Sequence, residues 1–330
     1  MPIPEKMKAL VLNPSTRILE VHELPVPSPG PGEVLIRMQA APVNPSDLAR
    51  IKEFRQENPG IFVPGIEGCG TVVKAGPGLL PRLWLGRRMA CISTHQHSGT
   101  WAGYMVTGAG RCFPLPASIP DDQGSMLFVN PLTALAFFEI IRARKTRAVI
   151  SLAAASALGR MISVLGEKRG VAVINVVRRP AHVQLLKEIN APVILDTSES
   201  DFDEKLEKYI AEFSPGLLLD PIGGDMDPDI FDLMPPGSLR LIYGRLSTEF
   251  LRMDPHTLIG ANKSVNGFFL ANWLQAQGLL KTITLLVKAR RLLANDVKVP
   301  IRERVPLEEI NPAIQRYVIE MSGGKIILTP

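Results

Sequence analysis

Between residues 148 and 243 short apolar runs alternate with stretches of helical length, and this alternation limits the fold more than any other feature of the chain. Residues 148–152, 171–177, 193–195, 216–220 and 238–243 read as strands, and 158–169, 181–189 and 201–213 as helices between them. The strand runs are predominantly apolar. A half-exposed strand alternates, so continuous runs mark parallel strands covered on both faces. The pattern predicts an α/β, doubly wound parallel sheet.

The first third has a different character. Glycine and proline punctuate short strands at 8–12, 34–38, 70–74 and 88–92, which predicts a β-rich, antiparallel and partly barrel-like domain. Residues 121–141 read as helix, starting afresh at Asn130-Pro131, because proline fits a helix's first turn. A single amphipathic helix is expected over 273–293, followed by short strands to residue 328. A chain of 330 residues exceeds what one core usually supports. The expected division is 1–122 for the β-rich domain, 123–263 for the doubly wound sheet, and 264–330 for a return to the first domain.

Composition narrows the function classes. Hydrophobic residues make up 46% and charged residues 21%, as in an ordinary folded chain. The formal charge is +5, with cations scattered among acids, which favours anionic small molecules over nucleic acid. Cys69, Cys91 and Cys112 are too far apart for a disulfide framework and fit a reducing compartment. The start lacks signal-peptide character, and the apolar stretch 148–158 is too short to span a bilayer. A cytoplasmic protein acting on a small molecule, with no nucleic-acid or membrane partner, is the expectation.

The segment Ser151-Leu-Ala-Ala-Ala-Ser-Ala-Leu-Gly-Arg160 joins the first strand of the sheet to its helix. There a dinucleotide pyrophosphate meets free N–H groups at a helix N-terminus, which needs a tight turn and small side chains. Ser156 and Ala157 stand where glycines are often found, so a small-residue helix packed on a strand is the competing reading. The second strand ends in Arg178-Arg179 with no acid. An acid there would hold the 2′-hydroxyl of NAD, whereas arginine accommodates a 2′-phosphate, so NADPH is the expected cofactor. A solvated pair at a strand end is the alternative.

Further segments carry a resemblance. They are Asn44-Pro-Ser-Asp47, Pro64-Gly-Ile-Glu-Gly-Cys-Gly70, Gly99-Thr-Trp-Ala-Gly-Tyr104, Asn130-Pro-Leu-Thr-Ala134, Asp220-Pro-Ile-Gly-Gly224, Tyr243-Gly244 and Gly267-Phe-Phe-Leu270. In order and spacing the chain resembles the medium-chain dehydrogenase/reductase superfamily, closest to its zinc-free quinone oxidoreductase and 2-enoyl-thioester reductase branch. The resemblance implies a GroES-like catalytic domain, a Rossmann domain and a C-terminal return. It also implies cofactor contacts at Asn130, Ser156, Ala157, Leu158, Gly159, Arg178, Arg179, Tyr243, Gly244, Arg245, Leu246, Phe268, Phe269, Leu270 and Lys325. Core packing is the alternative for Phe268 and Phe269. Similar reductases are commonly homodimers joined through their Rossmann sheets.

Alcohol dehydrogenases of this superfamily hold catalytic zinc through Cys, His and Cys. The matching positions here are Asn44 and Ile66, and neither side chain replaces a thiolate or imidazole donor. His95 and His97 form a lone His-x-His pair, short of a closed site. Without a metal, reduction of an activated double bond is easier to promote than reduction of a simple ketone. A zinc-independent, NADPH-dependent reductase of quinones or enones is the expected function. The alternatives are a 2-enoyl-thioester reductase and a cofactor-binding sensor or scaffold without turnover. The similar enoyl-thioester reductases use a Tyr where this chain reads Lys52-Glu-Phe-Arg55. Asn44 and Thr133 are the candidate catalytic residues; a turn role for Asn44 and helix back-bonding for Thr133 compete with it.

Overall fold

A computed structural model describes residues 2–54, 61–93, 98–224 and 229–330. β1 (Lys6–Leu12) and β2 (Leu19–Pro25) pair antiparallel in a ribbon of their own. β3 (Glu33–Pro42) is flanked by β4 (Glu67–Ala75) on one edge, followed by β5 (Arg88–Ile92). β6 (Tyr104–Gly108) pairs with β3, and β7 (Cys112–Pro114) with β5. Every one of these pairings is antiparallel. Val34, Ile36 and Met38 project from one face of β3 onto Val72, Met89 and Met105.

Six strands then form a wholly parallel sheet: β8 (Ala148–Ser151), β9 (Ala172–Val177), β10 (Val193–Asp196), β11 (Leu217–Asp220), β12 (Leu239–Ile242) and β13 (Ser264–Gly267). Their order is β10-β9-β8-β11-β12-β13. In sheet-local numbering this is 3-2-1-4-5-6, the dinucleotide-binding topology. Helices Ala157–Arg169, Pro180–Lys187 and Phe202–Phe213 make the crossovers that the apolar runs require. Ile150, Ile174, Leu195 and Leu218 pack with Leu206 and Phe231 in one core.

The chain ends with β14 (Ile301–Val305) and β15 (Lys325–Leu328), which are parallel to each other. β15 joins β3, extending the first sheet. The helix Ile310–Ile319 between them buries Ile310, Ala313 and Tyr317 against Leu10, Trp101 and Val305. The α/β architecture read from the sequence is therefore present, with the return to the first domain.

Two compact units result: Met1–Pro131 with Thr284–Pro330, and Leu132–Ile283. Residues 264–283 thus stay with the parallel sheet, because β13 extends it beside β12. The helix expected over 273–293 is two helices, Leu270–Gln277 and Leu279–Asn295. Gly278, at φ 76°, separates them, an interruption that hydrophobic periodicity does not register. Among the described residues no helix is long and apolar enough to cross a membrane.

Candidate active site

The turn after β8 is pinned at both sides. Leu152 N–H donates to the Leu219 carbonyl at 3.1 Å, and Ala154 N–H to the Val176 carbonyl at 3.2 Å. Ala153 sits at φ 48°, a left-handed conformation that is unfavourable for a residue with a Cβ. Ser156 caps the helix Ala157–Arg169 and accepts from Gly159 N–H at 3.1 Å. A Cβ on Gly159 would lie 2.4 Å from the Ala154 carbonyl oxygen, so only glycine lets the helix start this close to the turn. The first N–H groups of any helix lack an intrahelical acceptor and carry the positive end of its dipole. Ser156, Ala157, Leu158 and Gly159 lie at this helix start, the kind of place where a pyrophosphate can be received.

Gly159→Ala is expected to destabilise the fold by about 1–3 kcal/mol, as overpacking of a tight site does. It should also weaken cofactor binding. Thermal unfolding with and without NADPH checks both; an unchanged shift on adding NADPH would place the phosphates elsewhere.

Arg178 and Arg179 follow β9 and are exposed. No hydrogen bond or ion pair engages either guanidinium among the described residues. Asp196, paired in register with Val177 at the end of β10, is buried and turns Oδ1 to Ser198. No carboxylate competes for the arginines from that strand end.

At the ends of β12 and β13 a groove of 520 Å³ is lined by Ile242, Gly244, Gly267, Phe268, Phe269, Asn272 and Trp273. Phe268 packs against Phe137 with ring centroids 4.9 Å apart, while Phe269 is 67% exposed. The two adjacent rings thus divide between packing and presentation. Tyr243 also packs against Phe137, with centroids 4.9 Å apart and the rings tilted by 54°. Its hydroxyl is buried without a hydrogen-bond partner among the described residues, and burial pushes its pKa up. Arg245 and Leu246 lie exposed beyond β12, and Leu270 opens its helix. Asn130 sits in the first turn of the helix Val129–Arg144, with Thr133 buried one turn on.

In the first unit the structure brings together residues that sequence reasoning had kept apart. Asn44 follows β3 and caps the helix Pro45–Glu53. Its Nδ2 donates to Glu67 Oε1 at 3.0 Å, and its Oδ1 accepts from Lys325 Nζ. Lys325 also donates to the Val43 carbonyl at 3.2 Å. A lysine only donates and a carboxylate only accepts, so the amide's orientation is fixed. Glu67 Oε2 accepts from Phe128 and Val129 N–H at 2.9 and 3.0 Å, at the start of the helix Val129–Arg144. Asp47 accepts from Asn44 N–H and Ile66 N–H, each at 2.9 Å. All four side chains are buried. Asp47 and Glu67 were not among the sequence candidates. The visible signal was Lys325 standing directly before the apolar run Ile326-Ile327-Leu328.

Burial pushes Glu67 up to about 7 and Asp47 up to about 6, against the donors that favour their charged forms. A carboxyl with a raised folded-state pKa stabilises most at low pH and loses that contribution as pH rises through the folded value. Relative to Glu67→Gln, the native protein should therefore lose up to roughly 3 kcal/mol between pH 4.5 and about 7. Urea unfolding of both proteins across this range measures it; a parallel pair of curves would refute the raised value.

The positions matched to zinc ligands are thus spent internally: Asn44 bridges a cation and an anion, and the Ile66 backbone serves Asp47. Among the described residues no three of His, Cys, Asp and Glu gather as a metal-ligand set. The three cysteines are unpaired and buried, and burial raises their thiol pKa values, that of Cys112 to about 12. His95, His97 and Arg55 lie outside the described residues. Phe54, within the Lys52–Arg55 window, stacks on Phe62 at 4.6 Å as a packing residue.

Residues 30–117 match the alcohol dehydrogenase GroES-like domain. The chain is 28% identical to the mitochondrial enoyl-acyl-carrier-protein reductase of Bos taurus, over 99% of this chain and 89% of that one. A solved structure from Mesorhizobium loti, provisionally named an NADPH:quinone reductase, is 32% identical over the whole of both chains, with a TM-score of 0.87. The quinone oxidoreductase of Thermus thermophilus, solved alone and with NADPH, is 25% identical, covering 98% of this chain and all of that one, with a TM-score of 0.76.

Proposed function

The chain belongs to the medium-chain dehydrogenase/reductase superfamily, in its zinc-free branch, and from that premise we propose that it is an NADPH-dependent reductase of quinones or enones. The observation that carries the reading is the glycine-tight turn at Gly159 with two unengaged arginines at the end of the next strand. The M. loti and T. thermophilus proteins bear names of the same activity, which supports it.

NADPH, when bound, would supply the hydride for reduction of an activated double bond. The chain's own work is to bind and to stabilise. Ser156, Ala157, Leu158 and Gly159 receive the pyrophosphate, and Arg178 and Arg179 the 2′-phosphate. Gly244, Phe268 and Phe269 offer an apolar groove at the sheet ends. Asn44 in the first unit and Thr133 in the second are each proposed as catalytic polar groups. One N–H of Asn44 serves Glu67, and its second is the donor to a developing oxyanion. Water supplies the proton that completes the reduction. A second copy is proposed to pair along β13, the edge of the parallel sheet, where Asn266 and Gly267 are exposed.

The second reading is reduction of a 2-enoyl thioester, favoured by whole-chain similarity to enoyl-acyl-carrier-protein reductases. The absence of a Tyr from the Lys52–Arg55 window ranks it below. The third is binding without turnover. One assay separates them: loss of reduced-nicotinamide absorbance with a quinone, an α,β-unsaturated ketone and crotonyl-CoA as acceptors. Turnover fastest with the quinone or ketone is expected. Fastest turnover with crotonyl-CoA selects the second reading, and NADPH binding without oxidation selects the third.

A further inference from the structure

One surface of the first unit has no part in the reductase reading. The helix Leu79–Trp84 stands between Gly78 and Gly86 and presents Leu79, Leu80 and Leu83, with Leu85 just beyond. These leucines are 78%, 41%, 52% and 54% exposed. At 100° per residue Leu79, Leu80 and Leu83 fall within one narrow arc, roughly opposite the buried Pro81. The segment is firmly held. Gly86 N–H donates to the Val72 carbonyl at 2.9 Å, Val72 N–H to the Arg87 carbonyl at 3.0 Å, and Trp84 Nε1 to the Ala109 carbonyl at 3.1 Å. A fixed, outward apolar tip is a costly way to end a surface helix unless something covers it.

The charge around it indicates what. From residue 68 to residue 120 the sequence contains no Asp or Glu, but it contains Lys74, Arg82, Arg87, Arg88 and Arg111. Arg88 is spent on Asp121. Arg82 and Arg87 are exposed beside the leucines, and Arg87 lies over the Trp84 ring at 5.7 Å. Glu33, on the adjoining start of β3, turns its carboxylate to Gly30 N–H. A protruding cluster of leucines edged by arginines has the make-up of an interfacial anchor, in which side chains enter the acyl boundary while cations meet anionic headgroups.

We infer that the Leu79–Leu85 tip docks this protein on the surface of an anionic lipid bilayer. This goes beyond the reductase reading and stands without it. It also departs from the expectation of no membrane partner, which rested on the absence of a spanning segment; a surface contact needs no span.

The test is co-sedimentation of the full chain with vesicles of phosphatidylglycerol and phosphatidylcholine, against vesicles of phosphatidylcholine alone. Binding to the anionic vesicles, weakened by high salt, is expected. The pair Leu79→Ser and Leu83→Ser should reduce it at least about tenfold, given what burial of a leucine side chain contributes. The pair Arg82→Gln and Arg87→Gln should reduce it several-fold, in a salt-dependent way. Unchanged thermal unfolding of these surface variants shows that the fold is intact. No binding to either vesicle, equal binding to both, or binding untouched by the leucine pair would overturn the inference. So would a wild-type oligomer that the leucine pair dissociates, since the tip would then be a contact between copies. Capture of the tip by an acidic protein with no vesicle binding would likewise overturn it.

Discussion

Replacing both Arg178 and Arg179 with alanine is expected to raise the KM for NADPH by about two to three orders of magnitude and to leave that for NADH nearly unchanged. A hydrogen bond to a charged group contributes about 1.5–3 kcal/mol, and every 1.4 kcal/mol is roughly tenfold. Two guanidiniums that meet one phosphate are not additive, so the double variant should fall short of twice the larger single effect. The side chains are exposed and engage nothing else among the described residues, so their removal should leave stability within about 0.5 kcal/mol. That separation makes the experiment clean: a change in cofactor preference without a change in unfolding. Equal losses with NADH and NADPH would remove the 2′-phosphate from this strand end and with it the main reason for naming NADPH.

Asp220→Ala is expected to cost about 3–5 kcal/mol of stability, the largest effect of any single substitution considered. Asp220 is fully buried at the end of β11, where Oδ2 pairs with Arg240 of β12, at 2.8 Å to Nε and 2.7 Å to Nη2. Its Oδ1 holds the following turn through Ile222 and Gly223 N–H at 2.7 and 3.0 Å. Removing the carboxylate leaves a guanidinium buried without its anion and two backbone donors without their acceptor. Asp220→Asn keeps an acceptor for the turn, so the difference between the two variants isolates the turn from the charge. Arg240→Met combined with Asp220→Asn should recover most of the loss, because the pair's main liability is an unpaired partner. Urea unfolding followed by circular dichroism measures all three. The turn also borders the groove at the sheet ends: Gly223 and Gly244 approach so closely that a Cβ on Gly223 would lie 2.4 Å from the Gly244 carbonyl oxygen. Asp220→Ala should therefore weaken NADPH binding too. A stable Asp220→Ala protein would mean that water reaches Arg240.

The parallel sheet was legible because burial on both faces leaves a mark that needs no partner strand to be recognised. Val173, Ile174, Val176 and Val177 are all buried, and an apolar run broken only by Asn175 reports this directly. β2 was missed for the opposite reason. Its run Leu19-Glu-Val-His-Glu-Leu-Pro25 is mostly exposed and polar, and it is a strand because β1 pairs with it. The helix Pro45–Glu53 went unread too: of its residues only Asp47 is buried, so no apolar stripe announced it.

The candidate site divides in the same way. Ser156, Gly159, Arg178 and Arg179 lie within a few residues of strand ends, so their neighbourhood could be read in one dimension. The cluster of Asn44, Asp47, Glu67 and Lys325 could not. It joins the end of β3, the start of β4 and the start of β15, and Lys325 meets Asn44 across 281 positions of sequence. The same holds for Leu79 to Leu85, where composition shows leucines and arginines but not that Pro81 is the side turned inward.

By itself the sequence determined that this chain builds a doubly wound sheet after a β-rich domain, with a small-residue turn after the first strand of that sheet and two arginines after the second. Those properties follow from local pattern and residue chemistry. The tertiary structure decided that β13 belongs to the parallel sheet. It also decided that Asn44 is fixed between Glu67 and Lys325, and that four leucines face outward. These outcomes depend on strand pairing, burial and long-range contact, which arise only when distant segments meet.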